Sequence, residues 1–99
     1  MTINEQNFQG VDLNLMVTFL VVYRERSVTH AALQLRVGQP AVSNALARLR
    51  SHFGDPLFLR VGRGIRPTLK ATQIASTLAP ALICIEAVIT NDRRSGSKT

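Results

Sequence analysis

This 99-residue chain has one cysteine, two histidines and six acidic residues against twelve lysines and arginines, and each shortage excludes something. A single thiol, Cys84, allows neither an intrachain disulfide nor a cysteine-based zinc site. It falls on the apolar stretch of a predicted helix, where a buried and inert thiol is expected. The two histidines, His30 and His52, stand on separate predicted helices with no obvious carboxylate partner, so both read as solvent-facing or structural. No metal site is expected. Glu5, Asp12, Glu25, Asp55, Glu86 and Asp92 are scattered and suggest no acid–base pair. No Ser-His-Asp grouping, P-loop or dinucleotide fingerprint is present. The chain therefore reads as a non-enzyme that needs no cofactor. Its first ten residues, M-T-I-N-E-Q-N-F-Q-G, lack the apolar core of a secretory signal. No apolar run is read as nearing the ~20 residues needed to cross a bilayer, so no membrane partner is expected.

The shortage of acids leaves a net charge of +6 and points to an anionic partner. At this level nucleic acid, an acidic membrane surface and an acidic protein all fit. The charge is concentrated: Arg36, Arg48, Arg50, Arg60, Arg63, Arg66 and Lys70 face one acid, Asp55, so residues 36–70 carry as much net charge as the whole chain. A solvated basic face is the plain explanation for such a run. An apolar fraction of 45% supports one globular domain, with a core that is marginal for a folded unit of about 60 residues.

Residues 1–11 are polar and aperiodic and read as a flexible segment. Asp12 can cap a first helix, in which Leu13, Met16, Phe19, Leu20 and Tyr23 sit at helical spacing and Val17, Val21 and Val22 widen the stripe. Ser27 or Thr29 can cap a short second helix whose inner face is Val28, Ala31, Ala32 and Leu35. After Arg36-Val37-Gly38 comes a helix with Pro40 near its start and Gly54 at its end, the usual asymmetry of helix termini. Val42, Leu46, Leu49 and Phe53 form its apolar stripe, and Gln39, Ser43, Asn44, Arg48 and Arg50 lie opposite. Two helices joined by a tight, Gly-bearing turn make a helix-turn-helix pattern. Leu57 to Val61 then reads as a strand, Gly62-Arg63-Gly64 as a turn, and Ile65-Arg66 as a return strand ended by Pro67: a small hairpin, or wing. Thr68 can cap a last helix. There Ala71, Ala75, Leu78, Leu82, Ile85 and Ile89 recur at the alternating spacing of four and three that marks a heptad seam, so a partner helix is expected. Pro80 predicts a local distortion in it. Residues 91–99 read as a disordered tail. The fold class is thus mainly α: a winged helix-turn-helix over 12–67 and a linker and dimerisation helix over 68–90.

The chemistry of the basic segment suits DNA. Gln39 and Asn44 present paired donors and acceptors for base edges, Ser43 lies one turn after Gln39, and Pro40 and Ala41 offer apolar contact to a thymine methyl. Arg48, Arg50 and Arg66 are candidates for phosphate contact. Ser27, Thr29 and His30 are placed to help the backbone N–H groups at a helix start bind phosphate. Arg63, between two glycines at the wing tip, suits the negative potential of a minor groove.

The blocks D-L-N-L-x5-V-V-Y-x-E-R-S-V-T-x-A-A-x-x-L, Q-P-A-V-S-N-A-L-A-R-L-R and F-G-D-P-L-F-x-R-x-G-R-G-x-x-P-T resemble the N-terminal DNA-binding region of LysR-type transcriptional regulators. The wording is nearest to the branch of nodulation-gene and leucine-operon regulators, and the resemblance runs from Asp12 to about Ile89. It implies a bacterial, cytoplasmic and nucleoid-associated regulator of transcription that binds double-stranded DNA at an inverted-repeat operator, as a homodimer through the linker helix. It implies base contacts from Gln39, Pro40, Ser43 and Asn44, minor-groove entry by Arg63, and phosphate contacts from Ser27 and Thr29. Dimerisation is expected along Ala75, Leu78, Leu82, Ile85 and Ile89. Asn44 stands where many members have arginine, and Gly38 where serine or threonine is usual. Family members are usually much longer, with a C-terminal effector-binding domain. No small-molecule effector site is expected in these 99 residues, and a tetramer only where that further domain is present. The alternative is a protein-interaction module or architectural DNA binder that heterodimerises with a longer homologue.

Overall fold

The structure, a computed structural model, describes residues 1–98, with side chains described through Asn91. Helix α1 (Leu13–Glu25) starts where the Asp12 carboxylate accepts the Leu15 N–H at 3.0 Å. It stops at Arg26, which takes a left-handed φ of 56°. Arg26 is held there by its Nε on the Tyr23 carbonyl and by its guanidinium 4.8 Å from the centre of the Tyr23 ring. The most buried residues of α1 are Leu15, Phe19 and Val22, whereas Leu13 and Val17 are exposed. This differs from the stripe expected to start at Leu13. The helix is apolar around most of its circumference, so periodicity alone could not select the innermost line.

Helix α2 (Val28–Leu35) is capped by Ser27, whose Oγ accepts the His30 N–H at 3.1 Å. Ala31 and Ala32 are buried, which lets the neighbouring helices approach. Arg36 closes α2 in a left-handed conformation, and α3 (Gln39–Phe53) follows with Pro40 in its first turn and Gly54 as its left-handed C-cap. Val42, Ala45, Leu46 and Leu49 bury one face of α3, as the stripe predicted, with Ala45 added. Gly38 supplies no side-chain cap.

The wing is an antiparallel pair, β1 (Phe58–Val61) and β2 (Gly64–Pro67), in register from Phe58 opposite Pro67 to Val61 opposite Gly64. Gly62 turns it at φ 58°. Leu57, predicted to be in the strand, instead carries a left-handed φ of 65° and is fully buried. The Phe58 N–H closes on the Pro56 carbonyl at 2.7 Å around it, a strained γ-turn. The ring of Phe58 reaches Phe19 of α1, with centroids 5.5 Å apart, and so joins the wing to the helical core.

Helix α4 (Leu69–Lys98) begins where Thr68 Oγ1 accepts the Ala71 N–H at 3.1 Å. It extends past the predicted end at 90, and continues through Pro80 although that residue has no N–H to give the Ser76 carbonyl. The tail predicted for 91–99 falls, from residue 92 on, outside the residues described in full. Three expectations are corrected along this helix. Ala75, assigned to a dimer seam, is 6% exposed and sits with Ala71 in the chain's own core, where Leu78 also packs. Cys84 is exposed rather than buried: unlike Leu82, Ile85 and Ile89, it does not line the face of α4 that looks toward α1. And Leu69–Asn91 has the length and composition of a membrane span, at a mean hydropathy of 1.6 with 6% of the window buried. Its Thr and Ser residues interrupt the apolar run without lowering hydropathy much. At the other end, residues 1–10 are exposed and include a short 3-10 turn (Glu5–Phe8) capped by Asn4, and Val11 joins the core.

Candidate nucleic-acid interface

The first turn and a half of α3 lies open to solvent: Gln39, Pro40, Ala41, Ser43 and Asn44 are all exposed, with Val42 beneath them almost fully buried. A single buried residue in this turn is enough to seat the helix while its remaining positions stay free for a partner. The start of α2 lies beside it. Gln39 Nε2 donates to Thr29 Oγ1 at 2.9 Å, which brings a predicted base reader and a predicted phosphate contact into one unit. His30 is exposed, and Ser27 is half-buried with its hydroxyl committed to the cap. Sequence reasoning missed the Thr29–Gln39 bond, because two polar side chains ten residues apart leave no periodic signal.

The cations are free of acids. Arg36, Arg48, Arg50, Arg60, Arg63, Arg66 and Lys70 are all exposed, and the one ion pair among the described residues is Arg24 with Glu25. Asp55, the acid nearest them in sequence, directs one oxygen inward, where it accepts the Leu57 N–H at 2.7 Å and the Thr68 hydroxyl at 2.8 Å. Two of the predicted phosphate contacts also have structural work. Arg50 Nε donates to the Pro56 carbonyl at 3.0 Å and steadies the turn into the wing. Arg48 Nη2 reaches back to the Gly10 carbonyl at 3.5 Å. Each guanidinium has five donors, so both keep N–H groups for an anion. Arg63 occupies the hairpin tip, and Arg66 lies on the return strand opposite Leu59.

A second surface is apolar. Leu13, Val17 and Leu20 of α1 face Leu82, Ile85 and Ile89 of α4 across an open groove of about 830 Å³. Leu82 is half-buried, and Ile85 and Ile89 are 37% and 49% exposed. The predicted seam thus divides: its first half closes the monomer and its second half lines this groove. Among the described residues no group of His, Cys, Asp and Glu could hold a metal ion.

A short helix, a tight turn, a helix with an open polar start, and a two-stranded wing define a winged helix-turn-helix. Residues 13–72 match the family model of the bacterial regulatory helix-turn-helix protein, lysR family, and the chain belongs to that family. It is 44% identical over 84 residues to the HTH-type transcriptional regulator LeuO of Escherichia coli, covering 85% of this chain and 27% of that protein. It is 46% identical over 79 residues to nodulation protein D 2 of Sinorhizobium fredii, covering 80% of this chain and 25% of the relative. The chain therefore spans about a quarter of the length of these relatives. Among solved structures, the probable transcriptional regulator PA0477 from Pseudomonas aeruginosa aligns with a TM-score of 0.77 at 40% identity, over 80% of this chain and 26% of that one. The protein of the BenM_DBD/catB site 1 DNA complex shares the fold, with a TM-score of 0.77 at 24% identity, over 88% of this chain and 98% of that one.

Proposed function

We propose that this chain binds double-stranded DNA sequence-specifically as the DNA-binding domain of a transcriptional regulator. In this reading the start of α3 enters the major groove, Arg63 enters the minor groove, and two copies joined through α4 address an inverted repeat. The observation that carries it is the exposed face of α3 from Gln39 to Asn44, set among cations that no acid pairs among the described residues. Gln39 and Asn44 match the edge pattern of adenine, and Pro40 and Ala41 suit a thymine methyl. Backbone and hydroxyl groups at Ser27, Thr29 and His30, with Arg48, Arg50 and Arg66, supply phosphate contacts that set register without reading sequence. The BenM_DBD proteins that share this fold are seen in complexes with DNA, which supports the same use of the fold.

The second half of the seam serves a second copy of the chain. Leu82, Ile85 and Ile89 continue the heptad beyond the residues the monomer covers, beside the groove on α1. A membrane span suits α4 less well. Ala71, Ala75 and Leu78 already pack on the folded unit, and the 13 residues left up to Asn91 fall short of the ~20 a bilayer requires. The setting is the cytoplasm, at the nucleoid, and the protein performs no catalysis.

Titration of the chain against duplexes of varied sequence at two salt concentrations tests the proposal. Tighter binding to particular inverted repeats is expected, with log K falling about 0.9 per neutralised phosphate for each unit of log salt. Salt-steep binding without sequence preference would replace it with an architectural role. Absence of DNA binding would leave a protein-interaction module.

A further inference from the structure

The Thr29–Gln39 bond joins the two helices of the motif at the point where the proposed reading of bases begins. Among the described residues it is the side chain–side chain hydrogen bond that links α2 to α3. Gly38 leaves the start of α3 with no side-chain cap, only the Ala41 N–H on its carbonyl at 3.1 Å. Gln39 is exposed, and an exposed glutamine is free to occupy many rotamers. Here it is tethered before any partner arrives, and tethering of this kind lowers the ordering cost of recognition.

We infer that Thr29 is a positioning residue that sets which base Gln39 reads. This rests on the DNA-binding reading above. A glutamine amide has two N–H donors and one carbonyl acceptor, and a threonine hydroxyl has one donor and two lone pairs. One Nε2–H of Gln39 is committed to Thr29 Oγ1. The remaining Nε2–H and Oε1 are the donor and acceptor that adenine's N7 and N6 amino group require in the major groove. The Thr29 O–H stays free to donate to a phosphate oxygen. The hydroxyl therefore couples a backbone contact to the orientation of the neighbouring base reader, and the amide is held in one sense rather than flipping between adenine-like and other patterns.

Selection of the 99-residue chain and its variants on a randomised duplex pool, with base preference read at every position, tests this. Thr29 and Gln39 are both exposed, so neither substitution opens the core. Thr29→Val keeps the shape and removes the hydroxyl. It is expected to reduce preference at one base pair of each half-site by ~5- to 100-fold, at the same pair that Gln39→Ala affects. The double variant should lose no more than Gln39→Ala alone, and Thr29→Ser should restore the preference. The salt dependence should not change, because no cation is removed. Uniform weakening on all sequences by Thr29→Val, with preferences intact, would show that Thr29 meets phosphate alone and would overturn the inference. So would loss of preference at a pair different from the one Gln39→Ala affects. A parent chain without any sequence preference would overturn the DNA-reading proposal itself, and this inference with it.

Discussion

In the proposed function, Arg63 would need little from the fold to serve as a recognition element. It sits at the tip of a hairpin closed by Gly62 at φ 58°, exposed and without an acid partner among the described residues. A guanidinium held there costs the protein nothing in desolvation and suits the concentrated negative potential of a narrow minor groove. Arg63→Ala is expected to weaken binding to the selected duplex by roughly 1–3 kcal/mol and to reduce any A·T preference at the flanking positions. Coincident binding curves for variant and parent at moderate salt would remove the wing from the interface. At the same scale the sequence misplaced Leu57 and Cys84, for opposite reasons. A leucine at positive φ contradicts local propensity and is imposed by its surroundings, which a window of neighbours cannot contain. Cys84 lies within an apolar stretch that in sequence looks continuous, yet on the helix it falls off the face that looks toward α1.

At the scale of elements, the wing depends on how β1 is launched. Leu57 is fully buried in a conformation that costs about 1–3 kcal/mol. Three bonds hold it: the Asp55 carboxylate accepts its N–H at 2.7 Å, its carbonyl accepts the Thr68 N–H at 2.8 Å, and Asp55 also accepts the Thr68 hydroxyl. Thr68 in turn caps α4. One carboxylate thus ties the exit of α3, the base of the wing and the start of α4 together. Asp55→Ala is expected to destabilise the fold by ~1–3 kcal/mol, with each kcal/mol lowering Tm by about 4–8 °C in a domain of this size. An unchanged melting curve would show that the latch is dispensable. The helices themselves were legible because their signals are local. Asp12 caps α1 and Thr68 caps α4, Pro40 and Gly54 bracket α3, and Val42, Leu46 and Leu49 repeat at helical spacing. The latch, the Thr29–Gln39 bond and the bonds of Arg48 and Arg50 to main-chain carbonyls were not legible, since each depends on which residues tertiary packing sets side by side.

At the scale of the whole molecule, two surfaces divide the work. One is polar and basic and belongs to α2, α3 and the wing. The other is the apolar groove between α1 and the outer half of α4. Their combination gives the heptad its meaning. For the proposed dimer, a seam buried throughout in the monomer would leave nothing to hold two copies together, and a seam exposed throughout would leave α4 unattached to the winged helix-turn-helix it continues. Here Ala71, Ala75 and Leu78 anchor the helix, while Leu82, Ile85 and Ile89 carry on at the same spacing into the open groove. Leu82 is the first seam residue after the anchored part and is half-buried, so a charge there stays partly hydrated in the monomer but would be desolvated beneath a second helix. Leu82→Glu is therefore expected to preserve the helical circular dichroism while raising the dimer dissociation constant more than about tenfold. Sedimentation velocity over a range of concentrations distinguishes the outcomes. A dimeric parent and a monomeric variant support the seam, whereas a monomeric parent or a dimeric variant rejects it. If the seam holds, monomeric Leu82→Glu should also lose the preference for two half-sites at fixed spacing while keeping the base preferences within one, because each reading head is complete without its partner.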